Sequence, residues 1–222
     1  LTYSIIAKEG AYLAVGCVTA SVCVGGFVPH AISDYGCLAT QGFYTNRLYA
    51  DWSFELFYKN QPAHKIVEKL LEKDENHGYR QCIIMDKSGQ TAGHTGKYNE
   101  DFCGHICQQN LAVAGNRLKD TSVLKTMIES YQQNHNLSLS ERLILSLEAG
   151  FKAGGDKKGA ISAAIKVVHF EQSPIDLRID QSNGSALFDA LKALNKAYFK
   201  EDFQDFLQSI PTDSQPTKAG NK

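Results

Sequence analysis

From Ala11 to Pro29 the chain carries no charged side chain. Such a run is long enough to cross a membrane as a helix, so how it is read decides the fold. It contains Gly16, Thr19, Ser21, Gly25 and Gly26 and is rich in valine. Its beginning, Tyr12–Thr19, reads as a buried β-strand, with a second strand over residues 22–28. A secretory signal fits poorly, because the preceding segment carries Lys8 and Glu9 and no basic cluster. Ala14-Val15-Gly16-Cys17 matches a lipoprotein cleavage site only faintly. The expectation is a cytoplasmic protein with no membrane partner.

Residues 2–7 are strand-like and turn through Lys8-Glu9-Gly10 into Tyr12–Thr19, glycine accepting the positive φ of such a turn. A further strand is expected over 35–41. Helical spacing follows over 51–59 and 62–73, with Ile66, Leu70 and Leu71 on one face and Pro62 in the first turn. Residues 79–85 and 90–95 form a hairpin around Asp86-Lys87-Ser88-Gly89, and 109–114 form another strand. Two long helices come next, Ser122–Gln133 and Leu139–Lys152. The second is announced by Ser138 with Glu141 three residues on. A buried strand over 161–170 and one late helix over 185–207 complete the pattern.

Hairpins at both ends argue against a doubly wound parallel sheet. The order suits an α+β protein, a four-layer αββα sandwich of two antiparallel sheets. It forms a single domain over 1–210, with a polar, disordered tail over 211–222.

The chain is long enough to bury a sizeable core. Its 23 basic residues against 24 acidic ones leave no electrostatic footprint for nucleic acid or an anionic membrane. Six cysteines are too sparse for a disulfide scaffold. Cys17, Cys23, Cys37 and Cys82 sit in apolar runs as small buried hydrophobes. Cys103-Gly104-His105-Ile106-Cys107 with His94 nearby is the one metal-like cluster. Zinc would ask for a fourth ligand and a more usual spacing, so a metal enzyme is the minor reading and no cofactor is expected.

Three segments are too polar and glycine-rich for plain core. They are Ala39-Thr40-Gln41-Gly42 with Thr45-Asn46, Ala114-Gly115-Asn116-Arg117-Leu118, and the stretch from Ala153-Gly154-Gly155-Asp156-Lys157-Lys158-Gly159 to Ala164. Each sits where a strand meets a helix, the usual place for a site. The plainer reading is that the glycines only close turns and Asn116 only bonds its own backbone. The third segment is no phosphate loop, because Ala160 follows Gly159 where a Walker motif needs Lys.

These segments, with Thr2-Tyr3-Ser4-Ile5-Ile6-Ala7, Arg80-Gln81, Glu141-Arg142-Leu143 and Ile175-Asp176-Leu177-Arg178-Ile179-Asp180, resemble one family, domain of unknown function 1028. That family is grouped with the N-terminal-nucleophile hydrolases. More distantly, the layout is similar to a proteasome β-subunit. There, too, a threonine opens the first strand and a Gly-Gly loop leads into a late strand.

The resemblance implies that Thr2 is a nucleophile whose Oγ attacks an amide carbonyl, with its own freed α-amine as base. An α-amine pKa of about 7.7–8.0 suits that work. Asn116 or backbone N–H groups would hold the oxyanion. Two departures stand out. Ser33-Asp34-Tyr35 lacks the lysine of the proteasome pattern, and Leu1 precedes Thr2 and blocks its amine. A non-standard start codon would place methionine at Leu1, to be trimmed before small Thr2.

The expected function is therefore an amidohydrolase acting on a small amide or acyl substrate. Its catalytic residues would be Thr2, Asn116 and Asp156. Ser21, Gln41, Asn46, Lys158 and Ser162 would position the substrate, Lys158 through an anionic group unless it is simply solvated. The alternative is a non-catalytic small-molecule-binding protein of the same fold. A homodimer or higher homo-oligomer is open as the assembly.

Overall fold

The computed structural model describes residues 2–220, so the expectations placed on Leu1 and on residues 221–222 lie outside the described residues. β1 (Thr2–Glu9) and β2 (Tyr12–Thr19) form an antiparallel hairpin around Gly10, whose φ of 55° is left-handed. Their register sets Thr2 opposite Thr19. Alternation divides β1 between two layers. Tyr3, Ile5 and Ala7 face helices, while Ile6 faces the second sheet.

Two further strands, β7 (Gly104–Gln108) and β8 (Leu111–Gly115), extend this sheet beyond β1, and β9 (Ser162–His169) and β10 (Gln172–Ile179) extend it beyond β2. The order is β10-β9-β2-β1-β8-β7. The second sheet runs β3 (Pro29–Ile32), β4 (Gly36–Gly42), β5 (Arg80–Asp86) and β6 (Thr91–Thr95). Every pairing is antiparallel.

On the outside of the second sheet lie α1 (Leu48–Tyr58) and α2 (Ala63–Lys73). On the outside of the first lie α3 (Ser122–Gln133), α4 (Leu139–Lys152) and α5 (Ser185–Tyr198), followed by α6 (Glu201–Ser209). The result is the αββα sandwich expected from the element order. Between the sheets the side chains are mostly small, Cys17, Cys37, Ala39, Ala112, Ala114 and Ala164 among them, with Ile6, Leu13, Ile83 and Met85.

The uncharged run is not a helix. β2 sits in the middle of the six-stranded sheet and is buried on both faces, which is why it carries no charge. No helix among the described residues is long and apolar enough to cross a membrane.

Several elements differ from the sequence reading. Residues 22–28 are not a strand. Cys23 turns left-handed at φ 60° and leads into a short 3₁₀ turn, Val24–Gly26, while Val24 and Val28 fill the layer between the sheets. Their apolarity reflects burial rather than pairing. The late helix is two helices. Lys200 is extended, and the Gln204 amide donates to the Tyr198 carbonyl at 2.6 Å, replacing a lost intrahelical bond. Strands β3, β7 and β10 were not anticipated: β7 is a sheet edge with half-exposed or exposed side chains, whereas β10 does alternate, with Ile175, Leu177 and Ile179 toward the helices, and the reading did not use that signal. The α4 start follows expectation, with the Ser138 and Glu141 capping box intact.

A buried ion pair ties α2 to the second sheet. Asp74 accepts from Arg80 Nε at 2.9 Å, from Asn46 Nδ2 at 2.9 Å and from the Asn76 N–H at 3.0 Å. Burial pushes its pKa up, but these hydrogen bonds outweigh burial and hold it at about 2. A depressed carboxylate stabilises the fold above its unfolded pKa and loses that contribution as pH falls through the folded value. Asp74→Asn is therefore expected to be less stable than the wild type at neutral pH by on the order of 2 kcal/mol. The gap should close between pH 4 and pH 2, which urea unfolding across that range checks; a gap independent of pH would refute it.

Candidate functional site

Thr2 occupies the first position of β1, and three strands contribute to the space around it. Its Oγ hydrogen-bonds Thr19 Oγ of β2 at 3.1 Å. Its backbone N–H points at Asn116 Oδ1 at 3.4 Å, just past β8. Its carbonyl accepts from the Asn116 N–H at 3.0 Å and from Gln41 Nε2 of β4 at 3.2 Å. The nitrogen, hydroxyl and carbonyl of Thr2 are thus all held.

Gln81 of β5 completes the arrangement. Its Oε1 accepts from Gln41 Nε2 at 2.7 Å and from Asn116 Nδ2 at 3.0 Å. Its Nε2 lies 2.9 Å from Thr95 Oγ1, 3.0 Å from the Gly104 carbonyl and 2.9 Å from the Gly115 carbonyl. Thr95 Oγ1 in turn lies 2.8 Å from His105 Nδ1. Burial, then the nearby His94, hold the His105 pKa below the usual histidine value. Thr2, Gln41, Gln81 and Asn116 are all buried.

Strand alternation explains the convergence. Gln41 follows Cys37 and Ala39 on the inner face of β4, and Gln81 precedes Ile83 and Met85 on the inner face of β5. An uncharged amide network therefore joins the two sheets under Thr2. Amides suit that place, because they donate and accept without burying a charge.

The Gly154-Gly155 loop lies at the Thr2 end of the sandwich. Gly154 adopts φ +99°, and a Cβ on Gly155 would stand 2.7 Å from Tyr3 Cε1. Tyr3 follows Thr2 and anchors to the Leu147 carbonyl through its hydroxyl at 3.2 Å. The first glycine therefore supplies a backbone conformation and the second supplies room. Gly155→Val is expected to cost about 1–3 kcal/mol, because neither the buried Tyr3 ring nor the Gly150 carbonyl 3.2 Å away can give freely. Urea unfolding measures it, and an unchanged midpoint would contradict the packing.

Asp156 accepts from the Lys158 N–H at 2.8 Å and the Ala20 N–H at 3.4 Å, so its carboxylate fastens the loop to the end of β2. Ser162 shares this end of the sheet, opposite Thr19. Its Oγ gives its hydrogen to the Ser21 carbonyl at 2.7 Å and accepts from the Val24 N–H at 3.1 Å. Ser21 itself is exposed, as is Lys158. Asn46 is not brought to Thr2. It bonds the Leu48 N–H at 3.1 Å and Asp74, and its carbonyl accepts from Thr40. Thr40 alternates with Gln41 and faces the helices, so Asn46 stands behind the second sheet.

The family model for a family of unknown function, DUF1028, matches residues 2–187. The chain belongs to the DUF1028 family. A crystal structure of a DUF1028 protein from Silicibacter pomeroyi is 28% identical and covers 100% of both chains with a TM-score of 0.93. Eukaryotic HslV from Trypanosoma brucei is 9% identical over 75% of this chain and 99% of its own, with a TM-score of 0.45. Thiobacillus denitrificans BPH, in complex with epoxomicin, is 9% identical over 75% and 98%, also at 0.45. Those two likenesses are too slight to bear on function. No curated protein matches the chain.

Sequence reasoning did not place Thr19 or Thr95 in a site in this DUF1028 chain, and it named Gln81 only within the family resemblance and His105 only within the metal-like cluster. Gln81 had a signal, an amide at an inward position of an otherwise apolar strand. The metal-like cluster disperses. His94 Nε2 lies 2.9 Å from the His77 carbonyl and His105 turns to Thr95. Among the described residues no three His, Cys, Asp or Glu side chains gather as a metal would require.

Proposed function

We propose that this DUF1028 protein is an amide-bond hydrolase of the N-terminal-nucleophile type, acting on a small amide or acyl substrate through Thr2. The observation that carries the reading is the fixing of Thr2 itself. Its nitrogen and hydroxyl point to one end of the inter-sheet space while its carbonyl is clamped by Asn116 and Gln41.

Removal of Leu1 would turn the Thr2 nitrogen into an α-amine beside Asn116 Oδ1. That amine takes the Oγ proton as Oγ bonds the substrate carbonyl carbon. The resulting ammonium returns the proton to the leaving nitrogen as the C–N bond breaks. Water then cleaves the acyl ester and restores the hydroxyl. Asn116 is the positioning residue for the amine and a donor for the oxyanion. Asp156 shapes the loop around it.

A non-catalytic small-molecule-binding protein is the second reading, favoured by Thr2 being only 6% exposed. The discriminating experiment makes the protein with and without the residue before Thr2, establishes each N-terminus by mass spectrometry and assays both on a panel of acylated small molecules. Turnover by the trimmed form alone supports the hydrolase. Equal turnover by both removes the amine as base, and none by either favours the binding protein.

A further inference from the structure

At the end of the sandwich remote from Thr2, where Arg142 pairs with Glu9 at the last position of β1, α4 and α5 part. They leave a groove of about 740 Å³. Its apolar lining comes from Leu137, Ile144, Leu145 and Phe199. Asn195 lies among them, 4% exposed, with its Oδ1 buried and without a hydrogen-bond partner. Along one rim lie Lys192 and Lys196, one turn apart on α5, and Lys200 in the extended link between α5 and α6.

Lys192 is committed to Glu148 at 2.6 Å. Lys196 and Lys200 make no ion pair among the described residues. Glu141, the acid on the facing wall, has its carboxylate turned to Ser138, whose Oγ is 2.7 Å away.

An apolar trough with two uncommitted ammonium groups on its rim asks for an elongated apolar ligand with an anionic head. We propose that this groove binds a single-chain amphiphilic carboxylate, the chain lying on Ile144, Leu145 and Phe199 and the head between Lys196 and Lys200. The volume falls in the range of small-molecule sites. Ten residues line it, against the roughly 20–30 that a protein partner takes from each side. A free amphiphile therefore fits better than a docking chain.

The test is calorimetric titration of the whole protein with dodecanoate, below the concentration at which it aggregates. Dodecyltrimethylammonium, with the same chain and the opposite charge, is the control. One-to-one dodecanoate binding is expected, at least 10-fold tighter than the control. The exposed double variant Lys196→Glu/Lys200→Glu should weaken it 10-fold or more, and Leu145→Trp should abolish it by filling the trough. Thr2→Ala should leave it unchanged, separating this groove from the Thr2 site. Circular dichroism verifies that each variant folds, and the double variant stands alone if Leu145→Trp does not. Absence of saturable binding, or undiminished affinity in the folded groove variants, overturns the proposal. So does a change in the sedimentation of ligand-free protein caused by these variants, because a second copy of the chain would then cover the groove.

Discussion

Thr2→Ala is expected to reduce turnover of any amide or ester substrate by a factor of about 10³ or more, while leaving the fold intact. The loss follows from chemistry: alanine has no oxygen to form the acyl ester, and water bound in its place lacks the fixed geometry. The fold survives because the substitution removes only the Thr2 Oγ contact to Thr19, worth about 1 kcal/mol, and one buried methyl group, worth about as much again. The carbonyl clamp from Asn116 and Gln41 is made by the backbone and remains. Thr2→Ser keeps the hydroxyl and should retain part of the activity.

Because the proposed base is the α-amine, kcat/KM should rise with pH through the amine's pKa, ordinarily about 7.7–8.0. Matched unfolding curves beside kinetics separate chemistry from stability. Wild-type turnover by folded Thr2→Ala would end the nucleophile reading.

Gln81→Leu is expected to destabilise the protein by about 2–5 kcal/mol. Leucine has similar bulk, so little cavity forms and the cost is polar. Gln41 and Asn116 each lose the acceptor at 2.7 Å and 3.0 Å, and the Gly104 and Gly115 carbonyls lose their side-chain donor. These groups lie between the sheets, where water cannot replace the partner. Gln81→Glu keeps an acceptor for Gln41 and Asn116 but removes the donor and buries a charge, so it should also be destabilising, and increasingly so as pH rises. Urea unfolding with an unchanged m-value measures both variants. A cost below about 1 kcal/mol for Gln81→Leu would mean that the amide network contributes little. If Thr2 acts as proposed, the folded fraction of Gln81→Leu should also turn over substrate more slowly, since Asn116 loses the partner that orients it.

Much of this was legible in the amino-acid order because it is local. Alternation in Thr2–Glu9, the uncharged Tyr12–Thr19 strand, the Ser138 and Glu141 cap and the apolar stripe of α2 are each set by a few neighbouring residues. Together they imply two antiparallel sheets with helices outside. Edge strand β7 was hard to read, because a strand with one partner and no buried side chain imposes little pattern, whereas the apolar and charged alternation of β10 was legible and went unused. The site divides along this line. Thr2, Gln41, Asn116 and the glycine loop announce themselves as polar or flexible residues where strands end.

That Asn46 stands behind the second sheet while Gln81 lies beneath Thr2 is decided by register and by which face of each strand meets the other sheet. Residues 2, 41, 81 and 116 meet only when β1, β4, β5 and β8 are stacked. By itself the sequence determined the strands, the helices and the inward-facing amides. Only the packing of one sheet on the other decided which of those amides share hydrogen bonds, because that pairing depends on side chains far apart in the chain.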